Sequence, residues 1–425
     1  MRFWIFLVLV GVLIGGGYVF WASQSLNPKK MVLYASPKKS IWNFQSIDTM
    51  KYSRDLAFEK LEDTSFDVVI EQQIGAIAET GATHVALATP YDEAFVPFLN
   101  RWVASARAHH LKIWFRGNFS GWEGWFNYPK ISREEHLKKT EAFLSKHNDL
   151  FEDGDVFSSC PECENGGPGD PRQTGDVTGH RRFLIAEYTV MKQAFERANK
   201  NVRVNFFSMN GDVAKLVMDK ETTRALGGIV TIDHYVKTPE QLAKDIEAIA
   251  VQSGGRVILG EFGAPIPDIH GSFTEAQQRD WISRTLSLLQ NISALEGLNY
   301  WLAVGGSTEI WHTSGQANAA VEALKRFYHS RIFYGRVYDD IGRSIAAAQI
   351  QIRDRRTTTN EDGYFELPVP DYETGDMLTV NKQGYGQQIL SLRGGNIPKV
   401  ILVKANKNFI ETLSAFSQTM FGKNR

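Results

Sequence analysis

Residues 228–265 read GIVTIDHYVKTPEQLAKDIEAIAVQSGGRVILGEFGAP. Two short apolar runs, 228–233 and 256–261, flank QLAKDIEAIAVQ, whose apolar residues recur at helical spacing. The stretch is therefore one strand–helix–strand unit. Working outward, similar short runs occur at about 41–47, 83–88, 111–116, 155–160, 202–208 and 297–303, which makes eight in all. Between them lie amphipathic stretches such as FDVVIEQQIGAIAET, AFVPFLNRWVASARAHH, RRFLIAEYTVMKQAFERAN and QRDWISRTLSLLQNI. This alternation predicts an α/β fold, a (β/α)8 TIM barrel over residues 40–330. An open doubly wound sheet alternates in the same way, but no G-x-G-x-x-G or G-x-x-x-x-G-K-[ST] loop follows an early strand.

From about Arg331 the texture changes to short strands and turns without long helices. Asp339-Asp340-Ile341-Gly342 and Asn360-Glu361-Asp362-Gly363 sit between alternating apolar residues and predict a small antiparallel β-sandwich over residues 331–405. The pattern Gly335-x-Val337, Gly342, Ala347 through Ile352, Gly363-Tyr364-Phe365 and Gly384-Tyr385 resembles the carboxypeptidase regulatory-like, transthyretin-like domain. That resemblance implies a non-catalytic accessory module. The tail, 406–425, places Phe409, Ile410, Leu413, Phe416 and Met420 on one side of a short helix.

Phe3 to Ala22 is an uncharged run long enough to cross a bilayer, so residues 1–24 are expected to form a transmembrane anchor and 25–39 a linker. A cleaved signal peptide competes with this reading, but Phe20 and Trp21 stand where small residues are wanted. The expected location is membrane-anchored with the bulk of the chain extracytoplasmic. Gly11 and Gly15 have the GxxxG spacing that lets two spans pack as a weak dimer. With 47 basic and 48 acidic residues, the formal charge of -1 provides no field to gather nucleic acid. An aromatic share of 12%, including 10 Trp, suits a ligand with flat apolar faces.

In a barrel the chemistry sits where strands run out into βα loops. Glu261 ends the apolar run of GRVILGEFGAP, and Glu162 and Glu164 end DVFSSCPECENGG. The separation of Glu162 from Glu261 matches three βα units of about 31 residues each, hence strands four and seven. Two carboxyls on one face can cleave a glycosidic bond, one protonating the leaving oxygen while the other attacks the anomeric carbon. Nearby at predicted strand ends or in their loops are Arg116, suited to hold a carboxylate, Asn118, Trp122, Glu123, Trp125, His234, Tyr235, Trp301 and Trp311. Each Trp taken singly suits a core as well as a sugar platform. Asp48 and Arg54 are weaker candidates.

Around these residues the chain resembles the clan A glycoside hydrolases of the cellulase-like superfamily, over roughly residues 40–330. Gly-Glu-Phe-Gly around Glu261 is similar to the family's nucleophile motif, which implies that Glu261 is the nucleophile of a retaining mechanism and that Glu162 or Glu164 is the acid/base. The family usually has Asn before its acid/base Glu, where this chain has Pro161 before Glu162. The resemblance also implies that His234 or Tyr235 orients the nucleophile. It implies a β-linked poly- or oligosaccharide as substrate, with no cofactor and no metal. A glycan-binding barrel without catalysis and an inert cell-envelope scaffold are the rival readings.

Cys160 and Cys163 are the only cysteines, and their spacing allows a local disulfide, free thiols or half a metal site. Outside the membrane a disulfide is the simplest reading, and a closed zinc site lacks two further ligands. Asn118-Phe-Ser and Asn291-Ile-Ser are glycosylation acceptor sequences.

Overall fold

The structure is a computed structural model that describes residues 32–35, 40–167, 169–370, 372–394 and 399–404. It divides into two compact units, Ser40–His329 and a second one combining the chain before residue 40 with the chain from Ser330 onward.

Strands are numbered along the chain from β1 (Val32–Ala35), which belongs to the second unit. The first unit carries β2 (Phe44–Asp48), β3 (His84–Leu87), β4 (Lys112–Phe115), β5 (Val156–Phe157), β6 (Ser208–Asn210), β7 (Ile229–Asp233), β8 (Arg256–Phe262) and β9 (Leu295–Tyr300). All pair in parallel, in the order β5-β4-β3-β2-β9-β8-β7-β6. The ring closes upstream of β6. Arg203 bridges Val156 in parallel, and the Phe157 amide donates to the Arg203 carbonyl at 2.8 Å. The predicted run at 202–208 is thus one bridge followed by irregular chain, and the regular strand begins at Ser208. The result is a (β/α)8 barrel.

Its helices start and stop where local chemistry directs. Ser132 caps Arg133–Lys146 by accepting from the Glu135 amide, and Thr274 forms a capping box at Glu275–Leu289. Pro239 opens Pro239–Ser253, and Gly254 ends it at φ 65°.

The barrel is filled in layers. Phe44, Ala86, Trp114, Val156, Phe206, Ile229 and Ile258 form one buried cluster. Two residues further along each strand the side chain points inward again. There stand Ser46, Arg116, Ser208, Thr231 and Gly260, followed by Asp48 and Asp233, so the interior turns polar toward the C-terminal strand ends. Parity alone would send Glu261 outward with Val257 and Leu259. Between β7 and β8, however, the register shifts: Ile232 pairs with Leu259, but Asp233 pairs with Glu261. This bulge at Gly260 turns Glu261 onto the axis. A Cβ on Gly260 would lie 2.5 Å from Asp233 Oδ1, so only glycine fits.

The second unit has two sheets. One is β1-β15-β14-β11-β12 and the other β13-β10-β16, with β10 (Arg331–Asp339), β11 (Gln349–Ile352), β12 (Arg355–Thr358), β13 (Tyr364–Val369), β14 (Met377–Asn381), β15 (Gln388–Gly394) and β16 (Val400–Leu402). Alternation on β13 buries Phe365, Leu367 and Val369 with Phe333, Val337, Ile350, Leu378 and Leu390. Two expectations are corrected. The sheets are not purely antiparallel, because β1 joins β15 and β16 joins β10 in parallel. Each of these strands arrives by a long connection rather than a hairpin. Nor is 25–39 a plain linker, since Val32–Ala35 is a strand whose four residues pair with Ser391–Gly394. The apolar run 3–22, the rest of the linker and the tail from 406 lie outside the described residues. Among the described residues no helix is long and apolar enough to cross a membrane.

Candidate active site

At the centre of the polar layer lies the Arg116 side chain, fully buried at the end of β4. Its Nη1 is 2.5 Å from Glu261 Oε1 and 3.2 Å from Asp48 Oδ2, and its Nη2 is 2.7 Å from Asp233 Oδ2. Asn299 on β9 donates to Asp48 Oδ2 at 3.3 Å and to the Gly260 carbonyl at 2.9 Å, tying the bulge to the cluster. Three carboxyls thus share one guanidinium. Burial raises Asp48 and Asp233 above the usual carboxylate range while Arg116 opposes it, and the Glu261 charge raises both further. Burial alone would lower Arg116, but Glu261, Asp233 and Asp48 hold it above its ordinary value.

Glu261 has its second oxygen filled as well, because the Tyr235 hydroxyl donates to Oε2 at 2.7 Å. Burial, reinforced by the Glu261 charge, keeps that phenol neutral. Trp301 meets the Tyr235 ring edge to face at 5.9 Å.

The opposing glutamates stand on the chain after β5. That strand has only two residues, and Ser158 onward is loop. Cys160 and Cys163 are joined in a disulfide around Pro161-Glu162. Glu162 has φ 50°, a left-handed conformation uncommon for a side-chain-bearing residue, and its amide donates to the Ser208 carbonyl at 2.7 Å. Its carboxyl receives Asn165 Nδ2 at 3.0 Å and Asn210 Nδ2 at 3.4 Å. Burial first, then the Glu261 charge, pushes it up to about 8. Glu164 is turned inward and buried, its Oε1 accepting from the Asn210 amide at 2.8 Å and from Asn210 Nδ2 at 3.2 Å. Burial raises it too.

Arg116, Glu261, Tyr235, Trp301, Glu162 and Glu164 therefore fall into one neighbourhood, and other candidates do not. His234 Nε2 lies 2.9 Å from Asp245, and of Glu261 it touches only the carbonyl, through its amide. Tyr235 is the residue that orients the carboxyl. Trp122 is no sugar platform: it is 1% exposed, stacks on Phe183 at 5.0 Å and lies against Gly166 and Gly167, where a Cβ would overlap the indole. Trp311 is buried in the core. The half-buried Trp125 ring lies under the Arg54 guanidinium, 4.8 Å from its centroid. Asn118 is buried and bonds Glu123 and His136, so it is neither a surface sugar contact nor an accessible glycosylation site. The asparagine of the second acceptor sequence, Asn291, is exposed.

Sequence reading missed Asp233 and Asn210. Both carry the signal used for Glu261, a polar residue where an apolar strand runs out, but Asp233 was overshadowed by His234-Tyr235 beside it. Among the described residues no group of three or more His, Cys, Asp or Glu side chains is arranged to hold a metal ion.

No family model and no curated protein matches the chain. Among solved structures it is similar to beta-glucuronidase 2 of Bacteroides uniformis, at 10% identity, covering 78% of this chain and 44% of that one, with a TM-score of 0.44. It is also similar to GH5_18 of Bifidobacterium longum in complex with Manb1-4GlcNAc, at 13% identity, 68% and 78% coverage and a TM-score of 0.49. A third is a fungal beta-1,4-galactanase, at 15% identity, 67% and 99% coverage and a TM-score of 0.48. The chain spans about half the length of the beta-glucuronidases it matches.

Proposed function

We propose that the barrel is a retaining glycoside hydrolase acting on a β-linked poly- or oligosaccharide, with Glu261 as nucleophile and Glu162 as acid/base. One observation carries this reading: two neighbouring glutamates have opposite environments. Glu261 has a guanidinium on one oxygen and a phenol hydroxyl on the other, so both of its oxygens are held by donors. Glu162 is pushed up to about 8 and so keeps a proton at neutral pH. In the first step Glu162 gives that proton to the glycosidic oxygen as Glu261 bonds to the anomeric carbon and the leaving sugar departs. In the second, water deprotonated by Glu162 attacks the same carbon and frees Glu261. Glu164 is a poorer acid/base because Asn210 occupies its one bonded oxygen and the other is buried. Trp301 is the remaining sugar platform of the four.

The chain is read as held at a membrane by residues 1–24 with its barrel extracytoplasmic, a compartment in which the Cys160–Cys163 disulfide persists. The second unit is read as a carboxypeptidase regulatory-like accessory module. The deciding experiment is turnover of β-linked polysaccharides by the chain and its Glu261→Gln, Glu162→Gln and Glu164→Gln variants, with product stereochemistry followed by NMR. Cleavage with retention, lost in the first two variants and kept in the third, is expected. Inversion, or undiminished turnover by Glu261→Gln, sinks the assignment.

A further inference from the structure

Among the chain that follows β3 and β4 lies a cavity of about 400 Å³ that has no task in the mechanism. Sites for small ligands run from about 300 to 1,000 Å³, so this one has room for a small molecule. Its floor is aromatic and fixed. Tyr91 is buried, its hydroxyl donating to the Ser158 carbonyl at 2.7 Å and accepting from the Gly117 amide at 3.0 Å. Its ring packs 5.8 Å from Phe119 and 4.9 Å from Phe143, which are buried and line the same cavity. Tyr128, half-buried, adds a ring that keeps some exposed surface.

Two charged groups line this cavity unpaired. Asp92 is only 9% exposed, and its Oδ2 accepts from the Ser120 amide at 2.7 Å, which holds the carboxyl in place. Its Oδ1 bonds nothing among the described residues, not even the helical turn it precedes, and it is not sealed from solvent. Lys139, in the helix Arg133–Lys146, stands one turn before Phe143 and carries its ammonium 5.7 Å from the centre of the Phe119 ring. Among the described residues Lys139 has no carboxylate partner and the Tyr128 hydroxyl no hydrogen-bond partner. Next door pairing is complete: Glu93, at the edge of the same cavity, takes Lys146 at 2.8 Å and His147 at 3.0 Å. Asp92 and Lys139 share the cavity without meeting. A ligand with one net charge would satisfy one of them and face the other at a cost. A neutral ligand whose groups both donate and accept satisfies both, and hydroxyls do so. Apolar C–H edges between those hydroxyls suit the aromatic floor.

We propose that this cavity is a second saccharide site, separate from the glutamate pair, in which Asp92 accepts from and Lys139 donates to the hydroxyls of one neutral sugar ring. Choosing a sugar over another neutral polyol rests on the glycosidase reading, and the test keeps the two apart. Intact Glu261→Gln chain would be labelled with 3-fluorotyrosine, so that Tyr128 reports on this cavity and Tyr235 on the cleft, each resonance assigned by its Tyr→Phe substitution. The probes are neutral β-linked hexamers of glucose, galactose, mannose and N-acetylglucosamine, with leucine as a zwitterion carrying both charges. At least one hexamer is expected to shift the Tyr128 resonance saturably. Asp92→Asn, which keeps an oxygen for Ser120 but turns the open acceptor into a donor, and Lys139→Met should each weaken that binding at least roughly tenfold and leave the Tyr235 response unchanged. A Tyr128 resonance that no hexamer moves, that moves regardless of both substitutions, or that only leucine moves would overturn the proposal, as would a weakening that spreads equally to Tyr235. Response at Tyr128 with silence at Tyr235 across the panel counts against the cleft as a sugar site and leaves this one standing. The reverse pattern sinks the second site and spares the hydrolase reading.

Discussion

Glu162 is the residue on which folding and chemistry pull in opposite directions. Unfolded, its carboxyl loses its proton near the ordinary 4.5, whereas folded it keeps it up to about 8. Between those values the folded state binds the extra proton, so this group lowers stability progressively as pH rises from about 4.5 to 8. Glu162→Gln is therefore expected to melt higher than the parent at pH 8 and level with it near pH 4.5, as read by calorimetry in matched buffers. The same proton predicts the rate profile. A general acid must be protonated, so kcat/KM should fall as pH rises through about 8. A rate that stays flat to pH 10 argues against Glu162 as the acid. Arg116 gives the converse case, since removing it strands three buried carboxyls. Arg116→Ala is expected to lose about 3–5 kcal/mol in urea denaturation. At this scale the gathering of Glu261, Glu162, Arg116 and Tyr235 was legible in the sequence, because an ionisable or phenolic group beside an apolar strand end is costly unless paired. It misled for Trp122 and Asn118, because these residues of a predicted loop fold back into a core that only tertiary packing reveals.

Strand β8 shows what an element adds that its residues do not. Alternation identifies the strand, but the direction of Glu261 depends on a bulge, which is a relation between two strands and leaves only a glycine as its trace. Gly260→Ala brings a methyl group against Asp233 Oδ1 and Thr231 Cγ2. It should destabilise by about 1–3 kcal/mol and reduce turnover as Glu261 is displaced, measured by denaturation and initial rates on one preparation. Wild-type stability with lost activity would mean that the backbone absorbs the methyl group by re-aiming the carboxyl. The loop after β5 depends on its disulfide in a comparable way. Cys160→Ser with Cys163→Ser releases the clasp around a left-handed Glu162, so a drop in kcat with little change in melting temperature is expected. The spacing of those cysteines was readable in the sequence, whereas the backbone conformation between them was not.

For the whole molecule, the barrel was legible from eight repeats of one pattern, and the sandwich from its turns. The membership of Val32–Ala35 was not, because a four-residue strand pairing with residues 391–394 leaves no local signal. It predicts an asymmetry between two truncations: removing residues 1–31 should leave the stability of the second unit unchanged, and removing residues 1–39 should lower it. Differential scanning calorimetry on both would show the loss confined to the transition that a fragment from Ser330 onward reproduces. The same pairing makes the barrel an insertion, entered after β1 and left before β10. The second unit is therefore completed only once chain on both sides of the barrel exists, and a chain stopped short of residue 391 leaves Val32–Ala35 without its partner strand.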